Sequence, residues 1–196
     1  MSPCVLVPLA TGCEEIEAVT IIDLLRRAKI EVTVASLEAD AVTASRGVRL
    51  LADVTLDAVA DSSFDLIVLP GGAEGARRLG HDSRLAALLT RQIEQGRRVA
   101  AICAAPVVFA QAGLLNNRRA TAYPGSLEPL GVPGLVLEDT AAVVMDGPII
   151  TSRGPGTAMD FALFLIEQLI DRPTRMRVEE GLQRPVSQRN APIVIV

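Results

Sequence analysis

Short apolar runs alternate with helix-periodic segments along this chain, and few architectures accommodate that alternation. Residues 5–9, 31–36, 65–69, 98–102 and 149–151 read as strands, several of them continuously apolar and therefore buried on both faces. Between them, residues 14–28, 83–95, 104–110 and 157–169 carry helical spacing. In the first of these segments, Ala18, Ile21, Ile22, Leu25 and Ala28 form one stripe, with Arg26 and Arg27 at the end where cations suit the helix dipole. In the last, Thr157 and Asp160 have capping-box spacing. Parallel strands need crossover connections, usually helices, so the pattern predicts a doubly wound α/β fold with a mostly parallel central sheet. Residues 41–51 suggest a small hairpin turning at Ser45-Arg46-Gly47, and 134–137 and 141–145 suggest short strands. From residue 172 the chain turns polar and Pro- and Arg-containing, so residues 1–171 read as the folded domain and 172–196 as a solvated tail.

Composition removes several functional classes. Aromatic residues make up 3% of the 196 residues and the net charge is −4, which disfavours base stacking and phosphate binding, so no nucleic-acid partner is expected. No apolar run approaches the roughly 20 residues a membrane helix needs. Cys4, Cys13 and Cys103 are odd in number, in a chain whose start has no basic region resembling an export signal. Reduced thiols in a cytoplasm are expected. No C-x-x-C pair occurs, and the one histidine, His81, lies in a polar turn, so no metal site is expected. Neither G-x-G-x-x-G nor a P-loop motif is present, and no cofactor is expected.

In a doubly wound sheet, ligands bind at the carboxyl ends of the strands. Four strand-to-helix turns should share that rim: residues 12–17, 70–75, the turn at Cys103, and 152–157. Cys103 falls between a strand and a helix start, where unpaired backbone N–H groups favour an exposed thiolate over a thiol. The competing reading is a buried cysteine acting as a small hydrophobe. Glu14, Glu15 and Glu17 cluster at the start of the first helix, and helix stabilisation accounts for at least two of them. Glu17, facing inward, is suited to hold a proton beside a Cys103 thiolate. Gly71 and Gly72 let the backbone approach a ligand and offer N–H groups to an oxyanion. Cys13 shares the rim and is a candidate resolving thiol.

Taken as an ordered set, residues 12–18 (GCEEIEA), 69–72 (LPGG), 100–106 (AAICAAP) and 151–157 (TSRGPGT) resemble the ThiJ/PfpI superfamily, in the branch of the parkinsonism-associated protein deglycase and its bacterial relatives. The resemblance spans about residues 3–171. It implies a flavodoxin-like sandwich, a cytoplasmic homodimer, and a cysteine that oxidises readily to the sulfinate. It carries the nucleophile onto Cys103 and the partner acid onto Glu17, with Gly72 and Ala104 as backbone donors. Arg27 and Arg46 match basic residues that contact an anion or lie near the site across the dimer interface. One departure matters: many relatives place a histidine where this chain has Tyr123. A phenol does not act as a general base near neutrality, so a Cys–His hydrolase mechanism is not expected. The implied function is a cofactor-independent, cysteine-dependent deglycase or glyoxalase-type enzyme acting on reactive dicarbonyls of the methylglyoxal class, or on their early adducts with thiols and amines. The alternative is a non-catalytic oxidative-stress sensor or chaperone-like dimer.

Overall fold

The structure is a computed structural model that describes residues 2–185 and 191–196. Its first half runs β1 (Cys4–Leu9), α1 (Glu15–Arg27), β2 (Glu31–Ser36), a hairpin of β3 (Val42–Thr43) and β4 (Arg49–Leu50), β5 (Val54–Thr55), β6 (Leu66–Leu69), α2 (Ala73–His81) and α3 (Ser83–Glu94). The second half runs β7 (Arg98–Ile102), α4 (Pro106–Gln111), β8 (Arg119–Ala120), β9 (Val136–Leu137), β10 (Val143–Asp146), β11 (Ile149–Ser152), α5 (Ala158–Leu169), α6 (Arg172–Gly181) and β12 (Ile193–Ile195).

The central sheet has the order β12-β10-β11-β7-β6-β1-β2-β5, and every neighbouring pair is parallel except β10 with β11. Side chains of successive strand residues leave opposite faces, so one strand feeds two cores. Val5, Val7 and Leu9 of β1 pack with Ala18, Ile21 and Leu25 of α1 and Phe161 and Leu165 of α5. Leu6 joins Leu79 of α2, Leu85 and Leu89 of α3 and Phe109 of α4 on the other face. This double burial makes the strands continuously apolar. The fold is therefore the expected doubly wound α/β sandwich. Because β1, β6, β7 and β11 are mutually parallel, their four following turns emerge at one rim.

The structure departs from sequence expectation in four places. Helix α2 lies outside the helical segments expected from the sequence, being short and carrying Gly75 and Gly80. A Cβ at Gly75 would lie 2.6 Å from the Cys13 backbone nitrogen, so close packing of α2 on the β1–α1 turn overrides the roughly 1 kcal/mol helical cost of glycine. The helix after Cys103 begins at Pro106 and spans only six residues. The Thr157–Asp160 capping box does not form: Thr157 Oγ1 donates to the Gly154 carbonyl at 2.9 Å, and Asp160 pairs with Arg184 at 2.8 Å.

The region expected to be a solvated tail is the fourth. It carries α6, joined to α5 by Arg175–Glu167 at 3.1 Å and Arg184–Asp160 at 2.8 Å, and β12, which adds to the edge of the main sheet beside β10. Buried polar groups survive because they are paired, and here the pairing adds to apolar contact of Val178, Leu182 and Ala191 with the core. Arg189 lies outside the described residues.

Candidate active site

Cys103 follows β7 directly and has φ 65, a left-handed conformation that costs energy in a residue with a Cβ. Two backbone hydrogen bonds hold it there: its N–H donates to the Ser152 carbonyl at 3.0 Å, and its carbonyl accepts from Tyr123 N–H at 2.8 Å. The thiol is 8% exposed, so the turn does not present it openly to solvent as the sequence suggested. The roof consists of neighbouring turns.

Glu17 lies in the first turns of α1 and is 0% exposed. Its Oε2 accepts the Gly71 N–H at 2.7 Å, while Oε1 is buried without a partner among the described residues. The Cys103 side chain is the polar neighbour acting on that carboxyl. Burial, acting against the Gly71 hydrogen bond and the Cys103 side chain, raises Glu17 to about 7. Burial and the Glu17 charge push the Cys103 thiol up to about 12, while the N–H groups of Gly72 and Ala104 pull it down.

A thiolate set by the helix start alone is therefore not what the structure supplies; the following helix is short, and burial first and the Glu17 charge second oppose the thiolate. The thiol and carboxyl form one coupled unit. When Glu17 carries the proton, its charge no longer opposes the thiolate and the two backbone donors act unopposed by it.

The three glutamates divide, but Glu14 and Glu15 hold a hairpin where the sequence suggested helix stabilisation. Glu14 and Glu15 both receive the Ser45 hydroxyl, at 2.8 and 2.9 Å, and Glu15 Oε1 accepts Arg46 N–H at 2.9 Å. They pin the β3–β4 hairpin across the start of α1. Burial works against the Glu15 carboxylate, but its backbone and Ser45 hydrogen bonds hold it below the ordinary carboxylate range. Glu17 alone reaches the thiol.

A cleft of about 570 Å³ opens above the pair, lined by Gly12, Glu14, Gly72, Cys103, Ala104 and Pro155 among others. All four expected turns contribute to it. Arg46 also lines it, and so does Tyr123, which therefore faces the cysteine's cleft. Arg27 sits elsewhere, at the far end of α1, bonded to Asp23 at 2.6 Å. Cys13 is fully buried, and burial together with Glu15 and neighbouring carboxylates raises it to about 11, so it is not an accessible resolving thiol. His81 is exposed, as expected.

The hairpin wall was not foreseen. Ser45-Arg46-Gly47 signals a turn, but nothing in it signals that Gly12 N–H would donate to Thr43 O at 2.8 Å and Ser45 N–H to Cys13 O at 2.7 Å, folding the hairpin over the first rim turn. No cluster of three or more metal-ligating side chains occurs among the described residues.

Comparison with known proteins places the whole fold. The chain is 45% identical to Protein dj-1beta of Drosophila melanogaster over 183 residues, covering 93% of this chain and 97% of that one. It is 35% identical to a Caenorhabditis elegans protein named glutathione-independent glyoxalase DJR-1.2, covering 80% and 82%. The crystal structure of Drosophila DJ-1beta superposes with a TM-score of 0.88 at 44% identity, covering 94% of this chain and all of that one. Oxidized Toxoplasma gondii DJ-1 superposes with a TM-score of 0.85 at 41% identity, covering 92% and 98%. Residues 4–168 match the DJ-1/PfpI family, and the chain belongs to it.

Proposed function

We propose that this protein is a cofactor-independent glyoxalase- or deglycase-type enzyme in which Cys103 and Glu17 convert reactive 2-oxoaldehydes, free or as early thiol and amine adducts, to 2-hydroxy acids. The observation that carries the reading is Glu17: a wholly buried carboxyl held near 7 against a thiol at the floor of a cleft. A carboxyl titrating near neutrality can both accept and return a proton during turnover. The glyoxalase name of the 35%-identical nematode relative supports the same chemistry.

In this mechanism the Cys103 sulfur bonds to the aldehyde carbon, and the resulting oxyanion takes N–H donation from Gly72 and Ala104, which in the free protein act on the sulfur. Glu17 removes the proton from that carbon and, through an enediol, a proton returns to the neighbouring carbonyl carbon. The first carbon is thereby oxidised to a thioester as the second is reduced to an alcohol. Water cleaves the thioester, releasing the 2-hydroxy acid and restoring the thiol. No external oxidant or reductant enters.

A homodimer in the cytoplasm is part of the same reading. Ile16 and Val19 on α1, and Val48 and Leu51 flanking β4, are exposed apolar side chains that a second copy would cover, and Arg27 lies on α1 as well. The three cysteines are free. Cys103 oxidation to the sulfinate belongs to the proposal too, in line with the oxidized state of the Toxoplasma relative.

The test is methylglyoxal consumption by the purified protein beside Cys103→Ser. Turnover in the first and its loss in the second is expected. A wild-type protein that consumes no methylglyoxal and no adduct, yet oxidises selectively at Cys103, would be the redox sensor instead.

A further inference from the structure

Of its phenylalanine and tyrosine rings the chain places one in solvent. Its four phenylalanines, Phe64, Phe109, Phe161 and Phe164, are buried, whereas Tyr123, the one tyrosine of a chain without tryptophan, is 53% exposed. That ring stands at the mouth of the Cys103 cleft and also lines a second cleft of about 550 Å³ with Pro124, Arg153, Gly154, Pro155 and Thr157. Tyr123 and Pro155 line both, so the two spaces adjoin at these residues.

The ring is held on a fixed backbone. Tyr123 N–H donates to the Cys103 carbonyl at 2.8 Å, Thr121 N–H to Thr151 Oγ1 at 2.9 Å, and the Ser126 hydroxyl to the Tyr123 carbonyl at 2.6 Å. A Cβ added at Gly154 would lie 3.5 Å from the ring's Cδ2, so the ring stands against bare backbone there. The Arg153 guanidinium donates to the Asp139 carbonyl, which turns one of its nitrogens toward the protein. The phenol ring and two prolines face the second cleft beside Arg153 and Thr157. The ring and the proline faces are suited to a flat apolar group.

We propose that Tyr123, Pro124 and Pro155 form a substituent subsite that receives an aromatic group on the oxoaldehyde, making Tyr123 a specificity-determining residue that selects aryl over methyl substrates. The proposal rests on the dicarbonyl reading for the reaction at Cys103, but binding at the subsite is measurable without turnover. Phenylglyoxal, with its aldehyde carbon at the thiol, would place its ring against Tyr123, and its product would be mandelate.

Because the chain has one tyrosine and no tryptophan, intrinsic fluorescence reports on this ring alone. Mandelate titrated into the Cys103→Ser protein should quench that emission saturably, and lactate, which lacks the ring, should need at least about tenfold more to do the same, the discrimination expected when one aromatic contact is lost. In wild type, kcat/KM for phenylglyoxal relative to methylglyoxal should fall about tenfold in Tyr123→Ala and stay near wild type in Tyr123→Phe, which keeps the ring. Equal action of mandelate and lactate, or an unchanged ratio in Tyr123→Ala, would overturn the subsite. Saturable mandelate quenching in a protein that turns over neither oxoaldehyde would instead support the subsite and overturn the reaction.

Discussion

Gly71 donates its backbone N–H to Glu17 Oε2 at 2.7 Å across 54 residues of sequence, and Gly71 must lack a side chain for that contact to exist. A Cβ there would lie 2.7 Å from both Glu17 Oε2 and the Cys103 Cβ. The glycine carbonyl meanwhile accepts Glu14 N–H at 2.9 Å. One residue thus docks the start of α1 on the β6 turn and sets the separation of acid and thiol.

Glu17→Gln should keep the fold and the Gly71 contact, since a carboxamide oxygen accepts the same N–H. It cannot transfer a proton, so turnover should fall by about 10² or more while the thiol still reacts with alkylating reagents. Glu14→Gln changes a residue whose partner is Ser45 and should leave turnover close to wild type. Steady-state kinetics of both variants decide this. Equal losses would mean that Glu17 has no special role.

Glu17 also makes stability depend on pH in a defined direction. Its value is 4.5 when free and about 7 in the fold, so below 4.5 the carboxyl is protonated in both states and the folded state carries no penalty. As pH rises from 4.5 through about 7, the unfolded chain gives up the proton first and stability falls, by on the order of 3 kcal/mol. Urea unfolding of wild type and Glu17→Gln at pH 5 and pH 8 should show the variant gaining relative stability at the higher pH. Parallel pH profiles would show that the carboxyl is not held protonated by burial.

The sheet was legible in the sequence because strands buried on both faces have nothing polar to hide. The runs at 5–9, 31–36, 65–69 and 98–102 fall on β1, β2, β6 and β7. Helix α2 was not legible, since Gly75 serves packing against Cys13 and not helix propensity. The C-terminal region misled for a related reason: Arg175, Glu179 and Arg184 read as part of a solvated tail, and only the fold reveals that they pair with one another and with Asp160 and Glu167 of α5. At the site, spacing separates Glu17 from Glu14, but a turn position says nothing about what roofs it. Cys103 is therefore less exposed than its place between strand and helix implied.

Peroxide offers a contest between exposure and activation. Cys4 is the more open thiol and Cys13 is sealed; burial raises the pKa of Cys4 and of Cys103 alike, so activation of Cys103 depends on the proton held by Glu17. Cys103 faces a cleft with two N–H donors to its sulfur and a proton on Glu17 to hydrogen-bond an incoming oxygen. Mild peroxide should therefore add two oxygens to the Cys103 peptide before either other cysteine is modified, as read by peptide mass spectrometry. Earlier modification of Cys4 would show that exposure governs, and the thiol–carboxyl pair would lose its claim to activate sulfur.

Tyr123 separates two mechanisms for the same cleft. In the two-residue scheme every proton passes through Glu17, and the phenol supplies only a ring wall. Its hydroxyl donates to no group among the described residues, and the link to Cys103 runs through the backbone, N–H to carbonyl at 2.8 Å, which a phenylalanine keeps. Tyr123→Phe should then retain most methylglyoxal turnover with an unchanged pH profile, and neither form should hydrolyse peptides. Because the substitution removes only a hydroxyl, a change in rate would report a lost hydrogen bond and not a lost fold. The measurement is kcat/KM against pH for both proteins. A drop of about 10³ would make the phenol a donor to the developing oxyanion, the size expected for removing one such donor, and the scheme resting on Cys103 and Glu17 alone would have to be given up.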